Sequence, residues 1–261
     1  MSKTNISVLI IGIILLLAQW SPALDAPAGV LELKDGGYVF ADYPEVFGGF
    51  DNDGITVELW FYLTDYPKDH KEEWILIDKP QSYLIRVVGK RPQLPSEVIC
   101  ELEYWTYFGE NGMGGSCATL NKDKINNWVH FAFMMSGTGP VAQSASLNGN
   151  IVGSGGCDSI NGFVASSDPL FIGGREGRTS IKGRIDEVRI SKGWLYSQGI
   201  KPERRFEVDQ KTIALWHFDE GPGAHSYKDS SGNGYTLYAG GTLPVDIKGK
   251  STTTWGTIKS H

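Results

Sequence analysis

Two short acidic stretches of this sequence could hold a cation. In Gly183-Arg184-Ile185-Asp186-Glu187-Val188-Arg189-Ile190, strict alternation puts Asp186, Val188 and Ile190 on one face of a strand and Ile185, Glu187 and Arg189 on the other. A carboxylate sharing a face with core residues must be hydrogen-bonded, paired or metal-bound, because leaving it unpaired away from water costs several kcal/mol. In Asp229-Ser230-Ser231-Gly232-Asn233, oxygen-bearing side chains crowd a tight turn. Calcium takes roughly six to eight oxygens from carboxylates, amides and backbone carbonyls, so Asp186, Asp229 and Asn233 are the expected ligands of a structural calcium ion. The competing reading is an Asx-turn at Asp229 and an Asp186 bonded to backbone donors. Asp51-Asn52-Asp53-Gly54 opens like a further calcium loop, but it lacks the later acidic positions of the EF-hand pattern and reads as a surface turn.

Sugar recognition uses aromatic faces beside planar polar groups. Trp60, Tyr62 and Trp105, with Tyr104 and Tyr107 close by in sequence, could supply the faces, although each could equally cover a sheet or fill a core. Arg175 and Arg178 lie in a Gly-broken turn between two strands, and such loops often carry recognition. For catalysis there is no Gly-x-Ser-x-Gly elbow, no His-Glu-x-x-His helix and no phosphate-binding Gly loop. His130 and His217 read as partly buried strand residues. Glu101 and Glu103 read as the solvated face of a strand.

The elements that must position these residues are strands. Thr56 to Leu63 is the clearest, with Val57, Leu59, Phe61 and Leu63 on one face and Thr56, Glu58, Trp60 and Tyr62 on the other, and it should lie centrally in a sheet. Residues 74–77, 83–88 and 98–106 continue the pattern, as do 128–135, with Val129, Phe131, Phe133 and Met135 inward. Asn148-Gly149 marks a two-residue hairpin turn, and Asp35-Gly36-Gly37 a second hairpin between 30–33 and 38–40. Only the stretch around Gly199 to Arg205 offers a helix, which Pro202 limits to about a turn.

Composition agrees: 33 Gly and 11% aromatic residues favour β structure with many turns. A net charge of −6 and a pI near 5.4 give no electrostatic reason to expect nucleic acid. Residues 1–26, with Lys3, an apolar run from Ile6 to Leu17 and small residues at Ser21, Ala23 and Ala26, have the layout of a secretory signal peptide cut after Ala23 or Ala26. The run is about a dozen residues, whereas a bilayer span takes roughly 20, so the expected mature protein is secreted or cell-surface with no stable membrane insertion. Residues 27–247 then form one domain and the Thr- and Ser-rich 248–261 a loosely held tail.

Three cysteines are an odd number for an exported chain. Cys100 and Cys117 are about equally far from the Gly109–Gly112 turn, which favours a disulfide across that hairpin. Three free buried thiols, or Cys117 with Cys157, are the alternatives.

In order, Leu31-Glu32-Leu33, Gly37-Tyr38-Val39, Ile55 to Phe61, Asn127 to Ala132, Leu147-Asn148-Gly149, Phe171-Ile172-Gly173-Gly174 and Gly183 to Ile190 resemble the laminin-G-like, concanavalin-A-like lectin-glucanase jelly-roll superfamily over about residues 30–195. The resemblance implies an all-β sandwich of two antiparallel sheets, used mainly in extracellular adhesion and in binding carbohydrate or protein, and in many members a calcium ion. It leaves open a glycoside hydrolase of the same fold and a purely structural cell-surface module. The glucanases of this fold carry Glu-x-Asp-x-x-Glu on one strand to bring two carboxyls about 5 Å apart, and neither Ile185-Asp186-Glu187-Val188-Arg189 nor Glu101-x-Glu103 matches it. The expected function is therefore non-catalytic recognition of a glycan or protein. Ile213 to Gly221 with Asp229 to Gly234 resembles the segment that usually opens such a domain. The stretch of chain after Lys211 is too short for a second sandwich, so Ile213–Phe218 is expected to return as a strand of the same domain.

Overall fold

The computed structural model describes residues 29–33, 36–48, 53–108, 112–137, 141–157, 166–196, 201–221 and 223–241. The segments expected to be a signal peptide and a tail, 1–26 and 248–261, lie outside these residues, as does the tip of the turn between Cys100 and Cys117. Among the described residues no helix is long and apolar enough to cross a membrane.

Two antiparallel sheets face each other. The seven-stranded sheet contains β1 (Leu31–Leu33), β3 (Ile55–Leu63), β8 (Trp128–Met135), β9 (Val141–Leu147), β10 (Asn150–Cys157), β12 (Gly183–Lys192) and β13 (Thr212–Trp216). Its order is β1-β12-β3-β8-β9-β10, with β13 also on β12. The eight-stranded sheet contains β2 (Tyr38–Ala41), β4 (Glu73–Lys79), β5 (Tyr83–Gly89), β6 (Val98–Phe108), β7 (Gly112–Asn121), β11 (Leu170–Ile172), β14 (Ser226–Tyr227) and β15 (Leu237–Gly240). Its order is β14-β15-β2-β11-β4-β5-β6-β7. The α-helix α1 (Pro44–Gly48) was not expected from the sequence, and the turn of helix expected near 199–205 is irregular backbone from Lys201 onward.

Alternation decides which side each strand buries. β3 sends Val57, Leu59 and Phe61 inward, where they meet Phe131 and Phe133 of β8 and, from the other sheet, Leu76, Ile85 and Tyr104 in one continuous core. Truncating such a buried ring, for example Phe61→Ala, costs about 3–5 kcal/mol. The β9–β10 hairpin turns at Asn148 and Gly149, whose φ of 50° and 84° suit a two-residue turn.

The C-terminal segment does return. β1 pairs with Gly183–Ile185 of β12, and β13 pairs with Val188–Ser191 further along the same strand, so β13 continues the edge that β1 begins. β15 likewise adds beside β2 in the other sheet. β1 and β2, in contrast, are not the two arms of the expected hairpin, since they belong to different sheets.

β12 departs from strict alternation. Its register against β3 shifts between Asp186 and Arg189, and Glu187 has a φ of 51°. This bulge inserts one residue into the alternation. Ile185 and Val188 both stay in the core, while Asp186, paired with Trp60, turns to the outer face instead of sharing a side with Val188 and Ile190.

Candidate binding face

The outer face of the eight-stranded sheet carries one unbroken cross-strand row. Tyr238 pairs with Phe40, Phe40 with Phe171, Phe171 with Asp78, Asp78 with Leu84 and Leu84 with Trp105. Neighbouring strands lie about 4.8 Å apart, so the five steps from Tyr238 to Trp105 span about 24 Å. At one end the rings form a cluster: Phe40 is 6.2 Å from Tyr238 and 6.4 Å from Phe171, and Tyr38 is 5.8 Å from Phe171. Tyr238 is 40% exposed and Phe40, Phe171 and Trp105 are half-buried, so rings reach the surface at both ends of the row, while Asp78 and Leu84 between them are buried. Trp105 lies flat because its strand neighbour is Gly115, where an added Cβ would come within 2.5 Å of the indole. Gly240 does the same for Tyr38, at 2.3 Å.

Ion pairs fill the rest of this face. Arg86 donates from Nε and Nη2 to Glu103 Oε2 at 3.0 and 2.7 Å and from Nη1 to Glu73. Arg178 Nη2 lies 2.8 Å from Glu73, Arg175 Nε lies 3.1 Å from Asp78, and the Trp105 indole donates to Glu103 at 3.1 Å. The half-exposed pairs of Arg86 and Arg178 with Glu73 each add only about 0–1 kcal/mol, so their main effect is to fix the direction of planar polar groups, whereas the Asp78 carboxylate beside Arg175 is buried. Burial raises the Asp78 pKa above the ordinary carboxylate range against the opposing pull of Arg175 and Arg178. The arginines stand on the turn that follows β11. This turn closes at Gly177, with φ 74°, and is stitched to β4 by Ile75 N–H donating to the Thr179 carbonyl at 3.0 Å.

Of the residues expected to bind a ligand, Trp105, Arg175 and Arg178 therefore meet on this face. Trp60 and Tyr62 do not, since β3 projects them from the outer side of the other sheet. Tyr62 packs against Trp128 at 5.5 Å. Trp60 is 8% exposed and covered by residues 201–207: its indole donates to the Glu203 carbonyl at 3.0 Å, and the Arg204 guanidinium carbon sits 4.6 Å from the Trp60 ring and 4.5 Å from the Trp128 ring.

Beneath this cover the charges are buried. Glu58 accepts from Arg189 Nε and from the Tyr196 hydroxyl, both at 2.8 Å, and lies 3.3 Å from His130 Nε2. Glu187 accepts from the Phe206 amide at 2.8 Å and meets His217 Nδ1 at 2.8 Å. Asp186 accepts its own strand's Glu187 N–H at 2.9 Å through Oδ1, while Oδ2 is buried without a hydrogen-bond partner. Burial, and then the adjacent Glu187 charge, push its pKa up to about 7. Burial lowers the Arg204 pKa, opposed by Asp186 and Glu187.

The expected calcium ligands do not fit that role. Asp229 Oδ1 already accepts the Leu215 and Ser231 amides at 3.1 and 2.9 Å, and Oδ2 accepts the Ser231 hydroxyl at 2.7 Å and the Tyr235 amide at 3.0 Å. Asn233 turns its amide nitrogen, not an oxygen, to the Ile213 carbonyl at 2.9 Å. The loop is an Asx-type cage of N–H donors that ties β13 down, and a cation would meet hydrogens where it needs lone pairs. Among the described residues no group of three or more His, Cys, Asp or Glu could hold a metal.

The Cys100–Cys117 bridge does not form either. Cys100 is a free, buried thiol whose pKa burial pushes up to about 12, and a register shift aligns its backbone with Leu120 while Cys117 is in register with Glu103. Glu101, expected on a solvated face, is fully buried and bonded to Arg91.

Register is what hid the remaining residues of the row. Alternation alone marks Tyr38 and Phe40 as opposite to Val39, but only the pairing of β2 with β11 and β15 brings Phe40, Phe171 and Tyr238 together.

A two-sheet antiparallel jelly roll with one open face of aromatic rings and oriented polar groups is the build of a lectin-like binding domain. The chain belongs to the concanavalin A-like lectin/glucanases superfamily, whose laminin G family model matches residues 34–201. No curated protein sequence matches it. Among solved structures it is similar to a candidate carbohydrate-binding protein from Bacteroides ovatus, with a TM-score of 0.59 and 16% identity over 84% of this chain. The chain spans 59% of that protein. It is also similar to a heptameric pentraxin from Limulus polyphemus, with a TM-score of 0.48 and 12% identity over 81% of this chain and 93% of the pentraxin.

Proposed function

We propose that the protein is an exported, non-catalytic recognition module that binds an extended carbohydrate chain across the outer face of its eight-stranded sheet. The observation that carries this reading is the single row from Tyr238 to Trp105, aromatic at both ends and flanked by Arg–carboxylate pairs. Aromatic faces stack on the apolar faces of sugar rings, and oriented guanidinium and carboxylate groups bond their hydroxyls. At about 24 Å the row suits several linked sugars more than one terminal residue. The signal-like residues 1–26 support an extracellular ligand, and the acidic pI argues against nucleic acid. The superfamily and the Bacteroides ovatus similarity are in keeping with carbohydrate binding, although fold alone does not choose a ligand.

The test is affinity electrophoresis of the mature protein in gels containing soluble polysaccharides, each also assayed for release of reducing ends. Retardation by at least one polysaccharide that Trp105→Ala and Phe171→Ala abolish, with no reducing ends released, supports the reading. Release of reducing ends favours the hydrolase of the same fold.

A further inference from the structure

The segment 201–207 does more than cover the seven-stranded sheet, because it places a cation that feels the pull of Asp186 and Glu187 but makes no hydrogen bond to either. Arg204 stacks its guanidinium against two indoles, Trp60 at 4.6 Å and Trp128 at 4.5 Å. Its Nε, Nη1 and Nη2 are all buried without a hydrogen-bond partner. The sheet below shows the same deficit, in Asp186 Oδ2 and His130 Nδ1, both on fully buried residues. Native structures satisfy nearly all buried polar atoms, and each exception calls for a physical reason. Three of these atoms belong to Arg204 on the two indoles, Asp186 is paired in register with Trp60, and the His130 ring lies 5.3 Å from the Trp60 ring.

The cover is also incompletely packed. A cavity of about 230 Å³, lined by Arg189, Tyr196, Lys201, Glu203 and Phe206, opens beside it. On either side of Arg204 the segment is held by few bonds: Glu203 by one carbonyl to the Trp60 indole, and Arg205 by half-exposed contacts to Glu187 and Asp219. Phe206 is the firm anchor, with its amide on Glu187 and its ring against Trp60 and Leu215. Residues 203–205 are thus held by fewer bonds than Phe206.

We infer that Trp60 and Trp128 form a second carbohydrate site, for a single uncharged pyranose, and that Arg204 is its built-in occupant. A pyranose ring placed where the guanidinium now lies would stack on the same two indoles. Its hydroxyls would donate to Asp186 Oδ2 and engage His130 Nδ1, supplying the partners these atoms lack. The site is separate from the open row, being on the opposite sheet, and does not depend on it.

The experiment uses the mature chain carrying Trp105→Ala and Phe171→Ala, so that the open row contributes nothing. Methyl glycosides of glucose, mannose, galactose and N-acetylglucosamine are titrated by ligand-observed NMR with and without Arg204→Ala. If the closed segment leaves the site free only about a tenth of the time, removing its occupant tightens binding about tenfold. The proposal expects that gain for at least one glycoside, and its loss on adding Trp128→Ala. Should Arg204→Ala fail to fold, Arg204→Gln keeps the aliphatic stem, removes the guanidinium and gives the same readings. Absence of binding in the folded Arg204 variants, or binding that persists without Trp128, overturns it.

Discussion

On the outer face of the seven-stranded sheet, Glu58, Asp186, Glu187 and Trp60 are 0, 0, 2 and 8% exposed. Across the sandwich, the side chains of Arg86, Glu73, Arg175 and Arg178 keep 25, 27, 29 and 29%. Both faces are made by alternating strands that bury one side in a common core and turn aromatic and charged residues outward. Among the described residues, the difference comes from the chain beyond β12, which lays Tyr196 and residues 201–207 over one face and nothing comparable over the other. Covered charges must be satisfied from within, so they contribute to stability. Uncovered ones are fixed in direction at little energetic gain, which leaves them free to contact a ligand.

That contrast can be broken from either side. The largest effect is expected at Glu58, where Glu58→Ala strands buried Arg189 and His130 and should cost about 3–5 kcal/mol in urea unfolding with no change in polysaccharide retardation per folded molecule. Asp186 should make stability depend on pH. Its native pKa of about 7 stands above the unfolded value of about 3.9, so the native state binds more protons in between. Its stabilising contribution is then complete below about pH 4 and is lost as pH rises towards 7, with a slope approaching roughly 1.4 kcal/mol per unit. Asp186→Asn should flatten this, so the difference in unfolding free energy between wild type and variant must change across pH 4–7. Parallel curves would show that Asp186 is not buried as described.

Asp229→Ala leaves the Leu215, Ser231 and Tyr235 amides without an acceptor, while the Ser231 hydroxyl keeps the Ile213 carbonyl, and should cost about 3 kcal/mol, equally with calcium and with a chelator, in thermal melts. A loss seen only with calcium would restore the metal reading. On the open face the pattern reverses. Trp105→Ala should shift stability by no more than about 1 kcal/mol but weaken polysaccharide binding by about 2 kcal/mol, near thirtyfold, by isothermal titration. The smallest effect on stability, under about 1 kcal/mol, is expected from Arg178→Ala, whose ion pair with Glu73 is part-exposed on both sides.

The strands and their faces were legible in the sequence because alternation is a local property: β3 and β8 bury the residues it predicts. The return of β13 was legible too, from a segment that resembled a domain opening in the wrong place. Sites were not, because they depend on register and on irregularities. One bulge moved Asp186 from the core to the outer face, and one register shift aligned Cys100 with Leu120. Asp229 and Asn233 looked like calcium ligands because an Asx cage and a calcium loop use the same residue types and differ only in whether donors or lone pairs face inward. Trp60 and Trp105 looked alike in sequence. Only the path of residues 201–207 separates them.

The claim that the open row reads a chain is tested most directly by titrating oligosaccharides of increasing length, cut from whichever polysaccharide retards the protein, into wild type and Trp105→Ala. Affinity should rise with length until the oligosaccharide spans Tyr238 to Trp105 and then level off, and the plateau should come at a shorter length in Trp105→Ala. A monosaccharide that binds as tightly as the longest chain, or a length dependence unchanged by Trp105→Ala, would contradict it.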